Sequence, residues 1–383
     1  MEFGVPREIR DLEKRVGLTP AGVVELVKAG HKVYIERNAG ADAGFFDEHY
    51  ERAGARIVYT PEEAWGRADV VLKVTRPVET EHRLFGNGQT LMSFLHLTVA
   101  SPDLHAALAE HEVTALAYEV MQDEDGTLPV LMPMSEAAGR LAPIFAGRLL
   151  TTSRGGPGIL LSGLPGVARG IVIIVGAGTL GRAAAQGFVG IGAQVIVLDI
   201  DVKKLRIVDA MFGGKVSTMM ANEYNLNRVV SFADVLVGAV LLPGERAPML
   251  ITREMVRRMR RGSVVMDFSI DHGGCVETSR PMTLRDPTFV AEGVTHFCVP
   301  NLPAAVARTA SHALTNAALP YILEIGACGV ECALLKHPAL RKGTKMYQGK
   351  VTSHRLAAAL GREVEIDLDA VLNDYVQHES NGK

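Results

Sequence analysis

The chain has 383 residues, 48% hydrophobic and 22% charged, a globular composition and more than one hydrophobic core accommodates. A formal charge of −3 provides no field to gather nucleic acid or anionic lipid, and no stretch reaches the roughly 20 apolar residues that span a bilayer. The opening Met1-Glu2-Phe3-Gly4-Val5-Pro6 lacks a secretory pattern, so the expected address is the cytoplasm.

Short β-branched runs alternate with helical patterns from the start. Strands are expected at Glu2–Val5, Lys32–Ile35, Val70–Lys73, Leu91–Leu95 and Val113–Ala117, with a helix from Thr19 to about Ala29. Met132 to Leu141 reads as a connecting helix capped by Ser135. The clusters Arg154-Gly155-Gly156-Pro157-Gly158 and Ser162-Gly163-Leu164-Pro165-Gly166 must be loop. A second unit opens after them, with strands at Ile171–Val175, Gln194–Leu198, Val235–Val240, Val264–Asp267 and His296–Val299. Arg308 to Leu335 is helix-like, and Gln377–Lys383 is a polar tail expected to fray. The four cysteines, Cys275, Cys298, Cys328 and Cys332, lack C-x-x-C spacing and suit a reducing compartment and no metal site. Cys328 and Cys332 are expected to be two buried small hydrophobes.

The fold class expected is α/β, with two Rossmann-like doubly wound parallel-sheet domains and a cleft between them. Residues 1–133 and 305–383 would form a discontinuous substrate domain, and 134–304 a nucleotide-binding one.

Gly176-Ala177-Gly178-Thr179-Leu180-Gly181 is G-x-G-x-x-G between a strand and a helix, and a second strand ends at Asp199. That context is the dinucleotide fingerprint: glycines for the turn, for pyrophosphate approach and for helix–strand packing, and an acid for the ribose hydroxyls. The acid would repel a 2′-phosphate, so NAD is expected over NADP. Lys203 and Lys204 rest against the adenosine or are surface charges.

Arg15, just ahead of a helix, offers a guanidinium fork for a carboxylate, or is a surface charge. Lys73 and His96 each end an apolar strand, where open α/β sheets bind ligands; a structural histidine is the alternative for His96. Asp271 is a proton-transfer group or a turn carboxylate.

These segments together resemble the alanine dehydrogenase family, whose sister group is the NAD-binding subunit of proton-translocating transhydrogenase. The resemblance runs nearly end to end. It rests on Arg15 with Leu18-Thr19-Pro20-Ala21-Gly22-Val23, Leu72-Lys73-Val74, Phe94-Leu95-His96-Leu97, Met134 to Leu141, Gly176 to Gly181, Val197-Leu198-Asp199-Ile200, Gly238-Ala239-Val240-Leu241, Ile270-Asp271, Gly273-Gly274-Cys275 and Ala313-Leu314-Thr315-Asn316-Ala317. It implies NAD-dependent interconversion of L-alanine with pyruvate and ammonium by a homohexamer. Arg15, Lys73 and Asn301 would bind substrate, with His96 and Asp271 as acid/base groups. Ser135, the loop Gly176 to Gly181, Asp199, Lys204, Val240 and Leu241 would contact NAD. Alternatives are a transhydrogenase-type subunit, an amino-acid dehydrogenase for another substrate, and a silent NAD-binding protein. The chain departs from the family pattern at Thr75-Arg76, where Lys-Glu is common, at His272, where glutamine is usual, and at Ala307-Arg308-Thr309-Ala310, which replaces a Pro-Lys-Thr-Ser type stretch.

Overall fold

A computed structural model describes residues 1–242 and 246–381. The chain divides into two units, Met1–Met134 with Val306–Lys383, and Ser135–Ala305. The first division falls inside the helix Met132–Leu149, so Ser135 lies within its first turn and is not its cap.

The first unit carries β1 (Glu2–Val5), β2 (Lys32–Glu36), β3 (Arg56–Val58), β4 (Val70–Thr75), β5 (Thr90–Phe94) and β6 (Thr114–Ala117). The second carries β7 (Ile171–Val175), β8 (Gln194–Asp199), β9 (Val216–Met220), β10 (Val235–Gly238), β11 (Val264–Asp267), β12 (Thr288–Ala291) and β13 (Val294–Phe297). The chain then returns to the first unit with β14 (Thr344–Tyr347) and β15 (Lys350–Val351).

The sheet orders are β15-β14-β6-β5-β4-β1-β2-β3 and β12-β13-β11-β10-β7-β8-β9. Both are doubly wound, with strand order reversing between β1 and β4 and between β7 and β10; the crevices at those switch points are where such sheets bind ligands. The sheets are mixed, not wholly parallel as expected: β12 pairs antiparallel with β13, and β14 pairs antiparallel with β6 and β15. Central strands read plainly because they are buried on both faces, as in β4, β10 and β11.

The helix-like stretch after Arg308 is two helices, Ala307–Cys328 and Val330–Lys336, separated by Gly329 at φ 88°, a left-handed value that glycine tolerates. Cys328 and Cys332 flank that break and are half-buried. They are joined by a disulfide, with Cα atoms 5.7 Å apart, which corrects their reading as two buried hydrophobes. The tail also differs from expectation: helix Leu368–Asn381 runs on through Gln377, while residues 382–383 of the expected frayed segment lie outside the described residues. Among the described residues no helix is long and apolar enough to cross a membrane, and no group of His, Cys, Asp or Glu is arranged to hold a metal.

Candidate active site

In the first unit, two cations are taken out of water, Lys73 within β4, which runs two residues past it rather than ending there, and Arg15 in the loop ahead of helix Pro20–Lys28. Lys73, on β4, is 1% exposed, with its Nζ 2.8 Å from Glu81 Oε1 and 3.2 Å from Glu8 Oε2. Burial alone would push the ammonium's pKa down, but the Glu8 and Glu81 carboxylates prevail and raise it, so Lys73 stays charged. Glu8 follows β1 and spans the switch point, accepting the Val74 amide at 2.6 Å and the Thr75 hydroxyl at 2.6 Å.

Arg15 is also 1% exposed. Its Nε and Nη2 each donate to Glu13 at 2.7 Å, a bidentate pair, while Nη1 reaches Met134 Sδ at 3.4 Å. The side-on fork is therefore taken by Glu13, and the guanidinium's end-on edge is the one turned to a weaker acceptor. The Arg15 loop hangs on helix Ala307–Cys328: the Val16 amide donates to Ser311 Oγ at 3.0 Å and the Thr19 amide to Thr315 Oγ1 at 2.9 Å.

His96 follows β5 in a left-handed conformation, φ 46° and ψ 47°, uncommon for a side-chain-bearing residue. Its ring is half-buried and stacks on Phe94, centroids 6.5 Å apart.

In the second unit, the loop after β7 has the shape the glycine pattern requires. Gly176 sits at φ 111°, and a Cβ there would strike the Ala239 carbonyl; one at Gly181 would strike the Gly176 carbonyl. A Cβ at Gly178 would meet nothing within 4 Å. Gly178 is the N-cap of helix Thr179–Gly190 and supplies no side-chain cap to the first-turn amides, which have no acceptor inside a helix. An anion of pyrophosphate type fits there.

Asp199 ends β8 at 7% exposure, its Oδ2 accepting the Ala177 amide at 2.7 Å and its Oδ1 the Asp201 amide at 2.8 Å. Each oxygen keeps a second lone pair, the capacity a ribose diol needs. Val240 and Leu241 lie half-buried just past β10, and the Val240 amide donates to Ser269 Oγ at 3.0 Å. Lys204 is exposed on helix Val202–Phe212, and Ser135 is half-buried.

Asp271 is exposed in the single turn Ile270–His272, and its Oδ2 accepts the Asn301 amide at 3.4 Å. This brings Asp271 beside Asn301, itself at φ 55°. The loop is anchored by Asp267, fully buried, whose carboxylate accepts the amides of Ser269 at 3.0 Å, Cys275 at 2.9 Å and Val276 at 3.1 Å.

The expected residues thus fall into two groups. Arg15, Lys73 and His96 belong to the first unit; Ser135, the glycine loop, Asp199, Lys204, Val240, Leu241, Asp271 and Asn301 belong to the second. Sequence reasoning missed Glu8, Glu13, Glu81, Asp267, Ser269, Ser311 and Thr315. The only available signal was that Glu8 and Asp267 follow or end an apolar strand.

Two family models match this chain, "Alanine dehydrogenase/PNT, N-terminal domain" over residues 4–138 and "Alanine dehydrogenase/PNT, C-terminal domain" over 142–354. The chain belongs to the alanine dehydrogenase/PNT family. Within the family, an alanine dehydrogenase of Methanococcus maripaludis is 46% identical over 360 residues, covering 94% of this chain and 96% of that relative. A solved structure described as L-alanine dehydrogenase is 42% identical, with a TM-score of 0.90, over 94% of this chain and 99% of the other. A transhydrogenase from Sinorhizobium meliloti shares the fold, with a TM-score of 0.76 at 23% identity over 92% and 98% of the two chains.

Proposed function

We propose that this chain is an NAD-dependent alanine dehydrogenase, interconverting L-alanine, NAD and water with pyruvate, ammonium, NADH and a proton. What carries the reading is the 46% identity along 94% of the chain to a relative named alanine dehydrogenase, together with two buried cations, Arg15 and Lys73, in the first unit. NAD, when bound, takes up hydride from the amino acid's α-carbon or returns it. The glycine loop Gly176 to Gly181, Asp199, Val240 and Leu241 hold it, with Ser135 and Lys204 at its margins, and the Asp199 charge selects NAD over NADP.

The discontinuous unit is the substrate domain. Arg15 pairs with the substrate carboxylate through its end-on edge, since Glu13 holds the other fork. Lys73, kept charged by Glu8 and Glu81, polarises the substrate oxygen, and Asn301 orients it. His96 and Asp271 move protons: one is taken from the water that adds to the iminium carbon, and one is given to the departing amine. The working assembly is a homohexamer in the cytoplasm.

The test is NADH oxidation by purified protein with ammonium and a panel of 2-oxo acids. Ammonium-dependent turnover on pyruvate is expected, and His96→Ala should lower it by roughly 10²–10⁴-fold with NADH affinity unchanged. NADH binding without turnover on any oxo acid would mean that the nucleotide half is read correctly and the substrate half is not. A second reading, a dehydrogenase for a different amino acid, is favoured by one observation: Arg76, a cation three residues after Lys73, places Nη1 3.5 Å from the His96 carbonyl. A panel maximum on an acidic oxo acid would establish it.

A further inference from the structure

We propose that Glu119 is a positioning residue for His96, setting the direction of its imidazole by holding the backbone on which the ring is mounted. The proposal rests on the reading of His96 as an acid/base group.

Glu119 lies in the single turn Tyr118–Val120 that follows β6, the strand beside β5, and is 5% exposed. Its Oε1 accepts the His96 amide at 2.7 Å and its Oε2 the Leu95 amide at 3.1 Å. Two successive amides at the end of β5 therefore converge on one carboxylate. Such charge-assisted bonds are short, strong and directional, and two of them fix the plane of the peptide that precedes His96. The carbonyl side is held as well, accepting from the Val99 amide at 3.0 Å and from Arg76 Nη1 at 3.5 Å.

These bonds bear on a strained point. The left-handed backbone at His96 is unfavourable for any residue with a Cβ and persists only where surrounding bonds over-determine it. An extended backbone would continue β5 and turn the side chain toward one face of the sheet. The left-handed turn instead comes just past the end of β5 and leads the chain into the single turn Leu97–Val99.

Lys345, on β14, has its ammonium pulled below its ordinary pKa by burial, and the Glu119 carboxylate acts on it in the opposite direction.

The experiment compares Glu119→Ala and Glu119→Gln in the full-length protein by reductive amination. In Glu119→Ala, kcat should fall roughly 10–10²-fold, the scale of a misplaced catalytic group, while the KM for NADH stays near the parent value. The solvent deuterium isotope effect on kcat should rise as proton transfer becomes limiting. Glu119→Gln keeps one acceptor for the His96 amide and should recover part of the loss. Adding Glu119→Ala to His96→Gln should slow that variant no further. Unchanged kcat in Glu119→Ala would overturn the proposal; so would kcat and both KM values changing together with no recovery in Glu119→Gln. Should Glu119→Ala not fold, Glu119→Gln decides alone: a parent-like isotope effect overturns the proposal, and a raised one supports it. His96→Gln keeps the two claims separate. If it turns over like the parent, the acid/base reading fails and takes the proposal with it; if it is slow while Glu119→Ala is not, only the positioning claim fails.

Discussion

Burying an ammonium among apolar strands is tolerated only where anions replace the lost water, and Lys73 has two, Glu8 and Glu81. Removing the cation leaves two carboxylates in a dry site. Lys73→Met should therefore lower stability by about 3–5 kcal/mol, the range for a broken buried ion pair, besides abolishing turnover. Urea denaturation measures it, and a variant as stable as the parent would show that the site admits water or protons. Arg15 differs because its partner, Glu13, is two residues away and travels with it. Sequence offers Arg15 as a fork for a ligand carboxylate or as a surface charge. That it pairs with the chain's own Glu13 was not legible, because Glu13 reads as one more surface charge until both residues are buried.

Among the elements, a recurrent device supports the strand ends. Glu8 after β1, Glu119 after β6, Asp199 at the end of β8 and Asp267 at the end of β11 are all buried carboxylates that accept backbone amides, Glu8 from the last residues of β4 and the others from a loop beside them. Parallel strands finish with N–H groups that no further ladder satisfies, and a carboxylate with four lone-pair sites answers two or three at once. The glycine loop uses the absence of side chains instead. Gly181→Ala would drive a methyl into the Gly176 carbonyl, so helix Thr179–Gly190 must shift. A loss of about 1–3 kcal/mol and at least tenfold weaker NADH binding are expected, checked by thermal melting and fluorescence titration. Undiminished binding would mean that the loop relaxes without moving its amides. The strands that sequence did not betray are the four at sheet edges, β3, β9, β12 and β15, and β14 beside one of them. β9 and β12 are half-exposed and carry Ser217, Thr218 and Thr288 among their apolar residues, so neither shows the continuous apolar run that made β4, β7 and β11 plain.

At the scale of the whole molecule, burial makes the fold acid-sensitive. His105 and His296 have their pKa lowered chiefly by burial, and so does His31. His105 Nε2 donates to the Leu97 carbonyl at 2.9 Å, which leaves Nδ1 buried without an acceptor for a second proton. His296 Nδ1 donates to the Val294 carbonyl at 3.0 Å, and Nε2 accepts from the Thr278 hydroxyl at 2.7 Å. With the folded values below the ordinary 6.5, the unfolded chain takes up these protons first as pH falls. Their contribution is complete above about 6.5 and is lost as pH drops through the folded values. Melting temperature should decline between about pH 7 and about pH 5, and a flat profile would show that the imidazoles reach water before they titrate.

What the sequence determined by itself is local: the alternation of strand and helix, the glycine loop with its acid 18 residues after Gly181, and through these the nucleotide-binding unit and the family resemblance. Such features depend on the spacing of neighbours, which a period or a turn imposes directly. Tertiary structure decided which groups meet. Val74 lies 66 residues from Glu8, His96 lies 23 from Glu119, and Val16 lies 295 from Ser311. Strand order brings each pair together, and no local pattern encodes strand order. The polarity of a buried site is therefore settled by folding, because a charge becomes a functional group only once its partners and the exclusion of water are both in place.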